Sequence, residues 1–221
     1  MVHCLAEAPP LLGERVNVTL RMSFREPIPE IEQVATMLDQ AVDAHAHGRR
    51  ADADELLRAA DVKVVWDWLD SVWGKKSPYI LFRPVADSLP RLAKEQRKTP
   101  RYATSETKRM IHQRDGFYCR FCKIPVITGD VRSRIRKAYP EAVRWDGTTA
   151  TQHAGFSCMW AQYDHIVPHA RGGGSDIDNV YLTCAACNYG RMNYTLEEVG
   201  LAHPADHAPR QGSWDGLERF R

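Results

Sequence analysis

Two cysteine pairs of the form CxxC constrain the fold of this 221-residue chain more than any other feature. The pairs are Cys119/Cys122 and Cys184/Cys187. Two such knuckles can bring four thiolates to one ion at about 2.3 Å, which is the arrangement of a structural Cys₄ zinc site. A redox-active CxxC is the alternative, but two pairs that flank one region favour a shared metal. The sequence therefore predicts a zinc-stabilised region.

The cysteine usage also bears on the compartment. Four of the six cysteines fall in these pairs, and in a reducing compartment such a pattern indicates metal binding more often than a disulfide framework. No stretch approaches the roughly 20 apolar residues of a membrane span. The first residues, MVHCLAEAPPLLGERV, lack the positively charged start of a signal peptide. We therefore expect a cytoplasmic protein that does not associate with membranes.

The basic residues are concentrated in the middle of the chain. Residues 91–144 contain 15 Lys/Arg and 5 Asp/Glu, whereas the segments on either side are both net acidic. A basic block of this kind is typical of a surface that faces a polyanion such as nucleic acid. A solvated linker with charged helix faces would give the same composition, and both interpretations stay open on charge alone.

The pattern of apolar residues, prolines and glycines predicts an α+β chain with four parts. These are a mainly helical module (1–90), a basic linker (91–104), a region that contains both cysteine pairs (105–200), and a tail (201–221). Apolar periodicity predicts helices over 30–47, 51–60 and 62–73. Alternation predicts a strand over 15–24, and an apolar run predicts another over 156–168.

The residues between the cysteine pairs indicate catalysis. The segment YDHIVPHARGGGSDIDNVYLTCAACNYGR places Asp164 beside His165 at the end of a predicted strand, followed by a glycine-rich loop, and Asn188 directly after Cys187. A carboxylate and an amide oxygen are ligands that suit Mg²⁺. An imidazole can accept a proton from water at neutral pH. One metal ion and one general base are sufficient for phosphodiester hydrolysis.

The order of these elements resembles the HNH, or ββα-metal, nucleases. The resemblance covers about residues 105–200 and rests on CRFC, DHIVPHARGG, Asn179 in DNVYL, and CAACN followed by Arg191. It implies a zinc-stabilised ββα-metal nuclease domain, which would follow the small N-terminal helical module predicted from the apolar pattern. It also implies that Asp164 and Asn188 hold a catalytic Mg²⁺ or Mn²⁺ and that His165 activates water. Asn179 would fix the loop that presents His165, and Arg191 would contact a phosphate.

The chain departs from the family pattern in three places. The signature ends in Asn188 rather than His, Arg191 stands where Lys is usual, and the stretch 124–160 is longer than in small members. The resemblance implies that the substrate is DNA, and we expect it to be double-stranded. The sequence alone does not distinguish an RNA substrate from a DNA substrate. The residues expected to bind nucleic acid are Arg132, Arg134, Arg136, Lys137, Arg171 and Arg191.

Two other functions remain open at this point. The chain could be a non-catalytic zinc-knuckle module that binds nucleic acid or a protein, in which case Asp164 and His165 would be incidental. Alternatively, it could be a nuclease subunit that a protein partner activates, for example in a phage-defence system. The helical module over 1–90 lies outside the nuclease motif, so the resemblance implies no role for it, and it is the candidate surface for such a partner.

Overall fold

The computed structural model describes residues 20–73 and 76–221. Three helices come first and confirm the periodicity prediction: α1 (Pro29–Ala46), α2 (Arg50–Ala59) and α3 (Lys63–Val72). Residues 15–19 of the predicted N-terminal strand lie outside the described residues, and within its remainder Arg21 forms a single bridge to Leu201. None of the helices in the described part is both long and apolar enough to cross a membrane.

The second half of the chain contains five helices and two strands. In chain order they are α4 (Ser105–Asp115), α5 (Gly129–Ala138), α6 (Ala154–Cys158), β1 (Ala161–His165), β2 (Val180–Cys184), α7 (Ala185–Arg191) and α8 (Leu196–Val199). The two strands are antiparallel, with Ala161 opposite Cys184 and His165 opposite Val180. Helix α7 begins directly after β2 and packs against both strands. The CAACN segment therefore lies at a strand-to-helix junction.

Of the strand predicted over 156–168, only residues 161–165 form β1, and the first three predicted residues lie in helix α6 instead. Two side chains cap the N-terminus of this short helix, one from α2's C-terminal flank and one directly before the helix. The Asp61 carboxylate accepts a hydrogen bond from the Ala154 N–H at 2.7 Å. His153 donates through Nε2 to the Leu57 carbonyl at 2.8 Å, so its Nδ1 accepts from the Phe156 N–H. A short apolar run can form either a buried helix or a buried strand. In this run, the capping contacts favour the helix.

The segments predicted as separate parts share one hydrophobic core. Helix α3 packs against α6 and α7, so the N-terminal helices lie directly on the region that contains the cysteine pairs. The C-terminal segment buries Leu217 and Phe220. Near its end, Arg219 pairs with Asp39 of α1 at 2.6 Å and with Asp43 at 3.0 Å. The helical module and the tail therefore support the two-stranded sheet.

Candidate metal centre and active site

The four cysteines of the two CxxC pairs form one buried cluster. Their Sγ atoms all lie within 4.8 Å of one another, and Cys122 Sγ is 3.6 Å from Cys184 Sγ. Sulfur atoms around a tetrahedral zinc ion at about 2.3 Å are about 3.8 Å apart. The donor set and its spacing therefore fit zinc, and the cluster could hold that ion.

Backbone hydrogen bonds shape the first cysteine knuckle. The Cys119 N–H donates to the Ile124 carbonyl at 2.9 Å, and the Lys123 N–H donates to the Cys119 carbonyl at 3.0 Å. Lys123 adopts a left-handed conformation with φ of 65°, which closes the turn. The Arg120 N–H donates to the Leu182 carbonyl at 2.8 Å and so ties the knuckle to β2. This contact brings the two cysteine pairs together.

The cluster favours a thiolate. Burial alone would raise the pKa of the Cys119 thiol, but hydrogen bonds from the other three cysteines bring that pKa well below the usual value. A thiolate is the form of cysteine that ligates metals. In contrast, burial and hydrogen bonds within the cluster raise the pKa values of the Cys122 and Cys187 thiols, so Cys119 is the cysteine whose thiolate the cluster favours.

A buried ionic network lies beside the cluster, and the sequence pattern does not predict it. The fully buried Asp115 carboxylate accepts from Arg114 Nε at 2.7 Å, from Arg120 Nη1 at 2.6 Å and from the Leu182 N–H at 3.0 Å. These bonds join α4, the first knuckle and β2. Asp115 therefore holds together the scaffold on which the candidate catalytic residues lie.

Three candidate catalytic residues line one cavity of about 370 Å³. Asp164 and His165 are the last two residues of β1, and Asn188 lies on α7. Neighbouring strand residues point to opposite faces, and accordingly Asp164 is buried whereas His165 is half-buried. Both nevertheless line this cavity, which lies at the end of β1. The ββα arrangement thus brings the carboxylate, the imidazole and the amide to the same cavity.

The Asp164 carboxylate is held by Arg191. The Arg191 guanidinium donates to both carboxylate oxygens, with Nε at 2.8 Å from Oδ2. It also donates to the carbonyl of His165, and its Nη1 donates to the Tyr194 carbonyl at 2.7 Å. Burial raises the pKa of the Asp164 carboxyl, and the ion pair with Arg191 opposes that shift. Arg191 is fully buried, so it is not free to contact a phosphate, in contrast to the sequence-based prediction.

We expect Arg191→Ala to destabilise the protein by about 3–5 kcal/mol, because it leaves the buried Asp164 carboxylate without its partner. Urea unfolding in zinc-containing buffer measures this loss. The matched control is Arg109→Ala, which removes an exposed arginine that pairs with Glu106 on α4; exposed pairs contribute little. Equal unfolding midpoints for Arg191→Ala and the control would contradict the structural role of Arg191.

The imidazole of His165 is neutral at pH 7. Burial lowers its pKa to about 4, and repulsion from His169 and Arg191 adds to that effect. Its Nε2 lies 2.9 Å from Ser175 Oγ, which is also 2.9 Å from the carbonyls of Pro100 and Arg101. The serine proton satisfies a carbonyl, so Oγ accepts from His165 Nε2–H. In this tautomer the basic lone pair of His165 is on Nδ1.

Asn179 fixes the loop between the strands. Its Oδ1 accepts from the Val167 N–H at 2.8 Å, and its Nδ2 donates to the carbonyls of Val167 at 3.1 Å and Gly174 at 2.7 Å. Gly173 lies against the same turn, where an added Cβ would be 1.7 Å from the Val167 carbonyl oxygen. The loop therefore requires glycine at this position.

Gln162 orients the Asn188 amide and was missed by the sequence analysis. Asn188 Nδ2 donates to Gln162 Oε1 at 3.4 Å across the cavity wall, so Oδ1 is the amide atom that could ligate a metal ion. Gln162 precedes the DH pair by two residues, so it lies on the strand position that shares a face with Asp164.

Residues 154–193, which contain β1, β2 and α7, match the sequence model of the HNH endonuclease family. The chain contains an HNH endonuclease domain. The matched part indicates a nuclease-type function and metal binding, and HNH nucleases act on DNA. No curated protein and no solved structure gives a significant match to the chain.

Most of the arginines predicted to bind nucleic acid contact other side chains of the protein, in or beside the HNH domain. The Arg171 side chain is 8% exposed and donates to both Glu198 carboxylate oxygens, at 3.0 and 2.8 Å. Arg132 packs against Trp145, with its guanidinium carbon 3.7 Å from the ring centroid. Arg134 pairs with Glu218 at 3.2 Å. These three guanidinium groups have protein partners, whereas Arg136 and Lys137 are exposed on α5.

The segment predicted as a linker over 91–104 instead lies on the loop that follows β1. The Leu92 N–H donates to the Ala170 carbonyl at 2.8 Å, and His169 Nε2 donates to the Lys98 carbonyl at 2.7 Å. The Ser175 hydroxyl lies 2.9 Å from the carbonyls of Pro100 and Arg101 in the same segment. The segment is therefore part of the wall of the HNH site, which its Pro/Arg/Lys-rich composition does not indicate.

Proposed function

We propose that the protein is a metal-dependent HNH endonuclease that hydrolyses phosphodiester bonds in DNA, with double-stranded DNA as the expected substrate. The observation that carries the proposal is the meeting of Asp164, His165 and Asn188 in one cavity within the HNH match. A carboxylate, a neutral imidazole and an amide oxygen are the groups that single-metal phosphodiester hydrolysis needs.

The residues present fit a hard divalent cation. An ionised carboxylate has about four lone-pair positions, so the two bonds from Arg191 leave Asp164 with room to ligate a metal. Asp164 and Asn188 would hold Mg²⁺ or Mn²⁺, which retain several waters when bound in this way. Bound there, the cation would stabilise the negative charge that develops on the phosphate during cleavage.

His165 is the proposed general base. Its neutral state follows from its lowered pKa, and a neutral imidazole is the form that removes a proton from water. The hydrogen bond from Nε2–H to Ser175 leaves Nδ1 as the proton acceptor. Asn179 holds the loop that carries Ser175 in place, so it acts as a positioning residue for the base.

Ser175→Ala is expected to lower the cleavage rate by about 10–100-fold, since removal of a group that orients a site residue has effects of that size. The zinc content and melting temperature should stay near those of the wild type. Ser175→Thr keeps the hydroxyl and is the matched control.

The readout specific to this role is the tautomer of His165, measured by ¹⁵N NMR at neutral pH. The wild type should show the Nε2–H form, and Ser175→Ala should show a mixture of both forms. An unchanged tautomer together with an unchanged rate would contradict the proposal that Ser175 orients His165.

The four cysteines are proposed to bind a structural zinc ion. They are buried, and they supply four protein ligands, which leaves no position for a substrate. The zinc would connect the first knuckle to the junction of β2 and α7. Its role is therefore to hold the ββα element together.

Cleavage of labelled oligonucleotides tests the proposal. Duplex DNA, single-stranded DNA and duplex RNA of one sequence are incubated with the purified protein and Mg²⁺ or Mn²⁺. The proposal predicts metal-dependent cleavage of duplex DNA that His165→Ala removes. Binding of all three without cleavage would favour the zinc-knuckle module instead, and cleavage of RNA alone would change the substrate class.

A further inference from the structure

A second, smaller cavity adjoins the catalytic one. It has a volume of about 180 Å³ and is lined by Arg91, Arg97, Arg101, His169, Ala170 and Asn193. Three of these residues, Arg101, His169 and Asn193, also line the catalytic cavity. The imidazole of His169 lies 5.8 Å from that of His165, measured between ring centroids. The smaller cavity is thus a continuation of the proposed cleavage site.

The smaller cavity is strongly positive. Within the described part of the chain, no acidic side chain lines it, and none of its three arginines forms an ion pair. In contrast, Arg171 on the neighbouring loop is paired with Glu198. Guanidinium groups that converge without a carboxylate partner are suited to phosphate, which they bind through charge-assisted hydrogen bonds.

Contacts within the site wall hold the Arg97 and His169 side chains and the backbone at Arg101, whereas the side chains of Arg91 and Arg101 are exposed. Arg97 donates to the Leu92 carbonyl through Nε at 3.2 Å and through Nη2 at 3.0 Å. The backbone next to Arg101 is fixed by the Ser175 hydroxyl. His169 is oriented by its bond to the Lys98 carbonyl. Side chains that are already held, such as Arg97 and His169, lose less conformational entropy on binding than free surface side chains do.

We infer that Arg91, Arg97 and Arg101, together with His169, form a subsite for a backbone phosphate of the DNA strand that occupies the catalytic cavity. The inference rests on the proposed nuclease function and adds to it the surface that positions the substrate. The phosphate bound here is not the one that is cleaved. The basic segment over 91–101, rather than helix α5, is then the principal phosphate contact beside the HNH site.

The test measures the salt dependence of DNA binding. The triple variant Arg91→Ala/Arg97→Ala/Arg101→Ala is made in a His165→Ala background, so that the duplex stays intact. The affinity for a short fluorescein-labelled DNA duplex is measured by anisotropy between about 50 and 200 mM salt. The control, Arg49→Ala/Arg58→Ala/Lys63→Ala, removes the same charge from α2, its N-terminal flank and α3.

The triple variant is expected to bind the duplex roughly 10–100-fold more weakly. The slope of log affinity against log salt should fall in magnitude by about 1, the change expected for the loss of one phosphate contact. The control should keep the slope of the His165→Ala parent. Since Arg97 has local structural bonds, Arg91→Ala/Arg101→Ala serves as a second variant, and melting temperatures verify folding.

The outcomes separate this inference from the proposed function. Equal slopes for the triple variant, the control and the parent would overturn the subsite, and the nuclease proposal would still stand if the protein with intact His165 cleaves DNA. Absence of both binding and cleavage would overturn both. If inorganic phosphate raises the melting temperature of the parent but not of the triple variant while the duplex slopes agree, the cavity binds free phosphate, which also overturns the inference.

Discussion

Cys119→Ser is expected to abolish zinc binding and to unfold the region around β1, β2 and α7. Cys119 is fully buried in the four-cysteine cluster, and a hydroxyl is a poor substitute for a thiolate ligand. Binding of a structural zinc ion contributes about 10–16 kcal/mol in zinc-finger peptides at neutral pH. This is as large as the whole stability of a typical domain, about 5–15 kcal/mol.

The measurements are zinc content by mass spectrometry of the purified protein and thermal unfolding by circular dichroism. The wild type should contain one zinc per chain, and the variant should contain none and lack a cooperative transition. Cys158→Ala is the matched control, because Cys158 is equally buried but lies outside the cluster. If Cys119→Ser kept its zinc and melted with the wild type, the assignment of the four cysteines to a structural site would be wrong.

His165→Ala is expected to reduce the single-turnover rate of DNA cleavage by about 10²–10⁴-fold, which is the usual contribution of a general base. The side chain is half-buried, and its one hydrogen bond to a described residue goes to Ser175. Its loss should therefore leave the fold and the zinc content intact. The defect should lie in the rate and not in the affinity for DNA.

His47→Ala is the control for this substitution, because His47 is exposed at the end of α1 and lines none of the site cavities. The rates are measured on a labelled duplex with enzyme in excess. A rate for His165→Ala within about threefold of the control would contradict the assignment of the general base.

The sequence predicted the elements whose signals are local. Helices α1 to α3 follow from apolar spacing, since residues such as Ile31, Val34 and Leu38 fall on one face and are buried. The resemblance to HNH nucleases implied that Asp164 and Asn188 lie close together, and both line one cavity in the structure. The two residues come together in any fold in which β1 pairs with β2 and α7 follows β2.

Features that depend on tertiary contacts were not predictable in the same way. Helix α6 forms because Asp61, far away in the chain, caps it. Arg191 is buried because its guanidinium fork fits the Asp164 carboxylate and nearby carbonyls, whereas the sequence shows only a basic residue after CAACN. Likewise, the basic segment over 91–101 lies on the loop after β1 through hydrogen bonds to its backbone groups, which its own side-chain composition does not indicate.

The most direct test of the central proposal is cleavage of supercoiled plasmid DNA by the purified, zinc-loaded protein. With Mg²⁺ or Mn²⁺ present, the wild type should convert supercoiled DNA to nicked or linear product, and His165→Ala should not. The ratio of nicked to linear product would report whether one strand or both are cut. Absence of conversion by folded, zinc-loaded wild type that still binds the plasmid would contradict the proposal that this protein by itself is a nuclease.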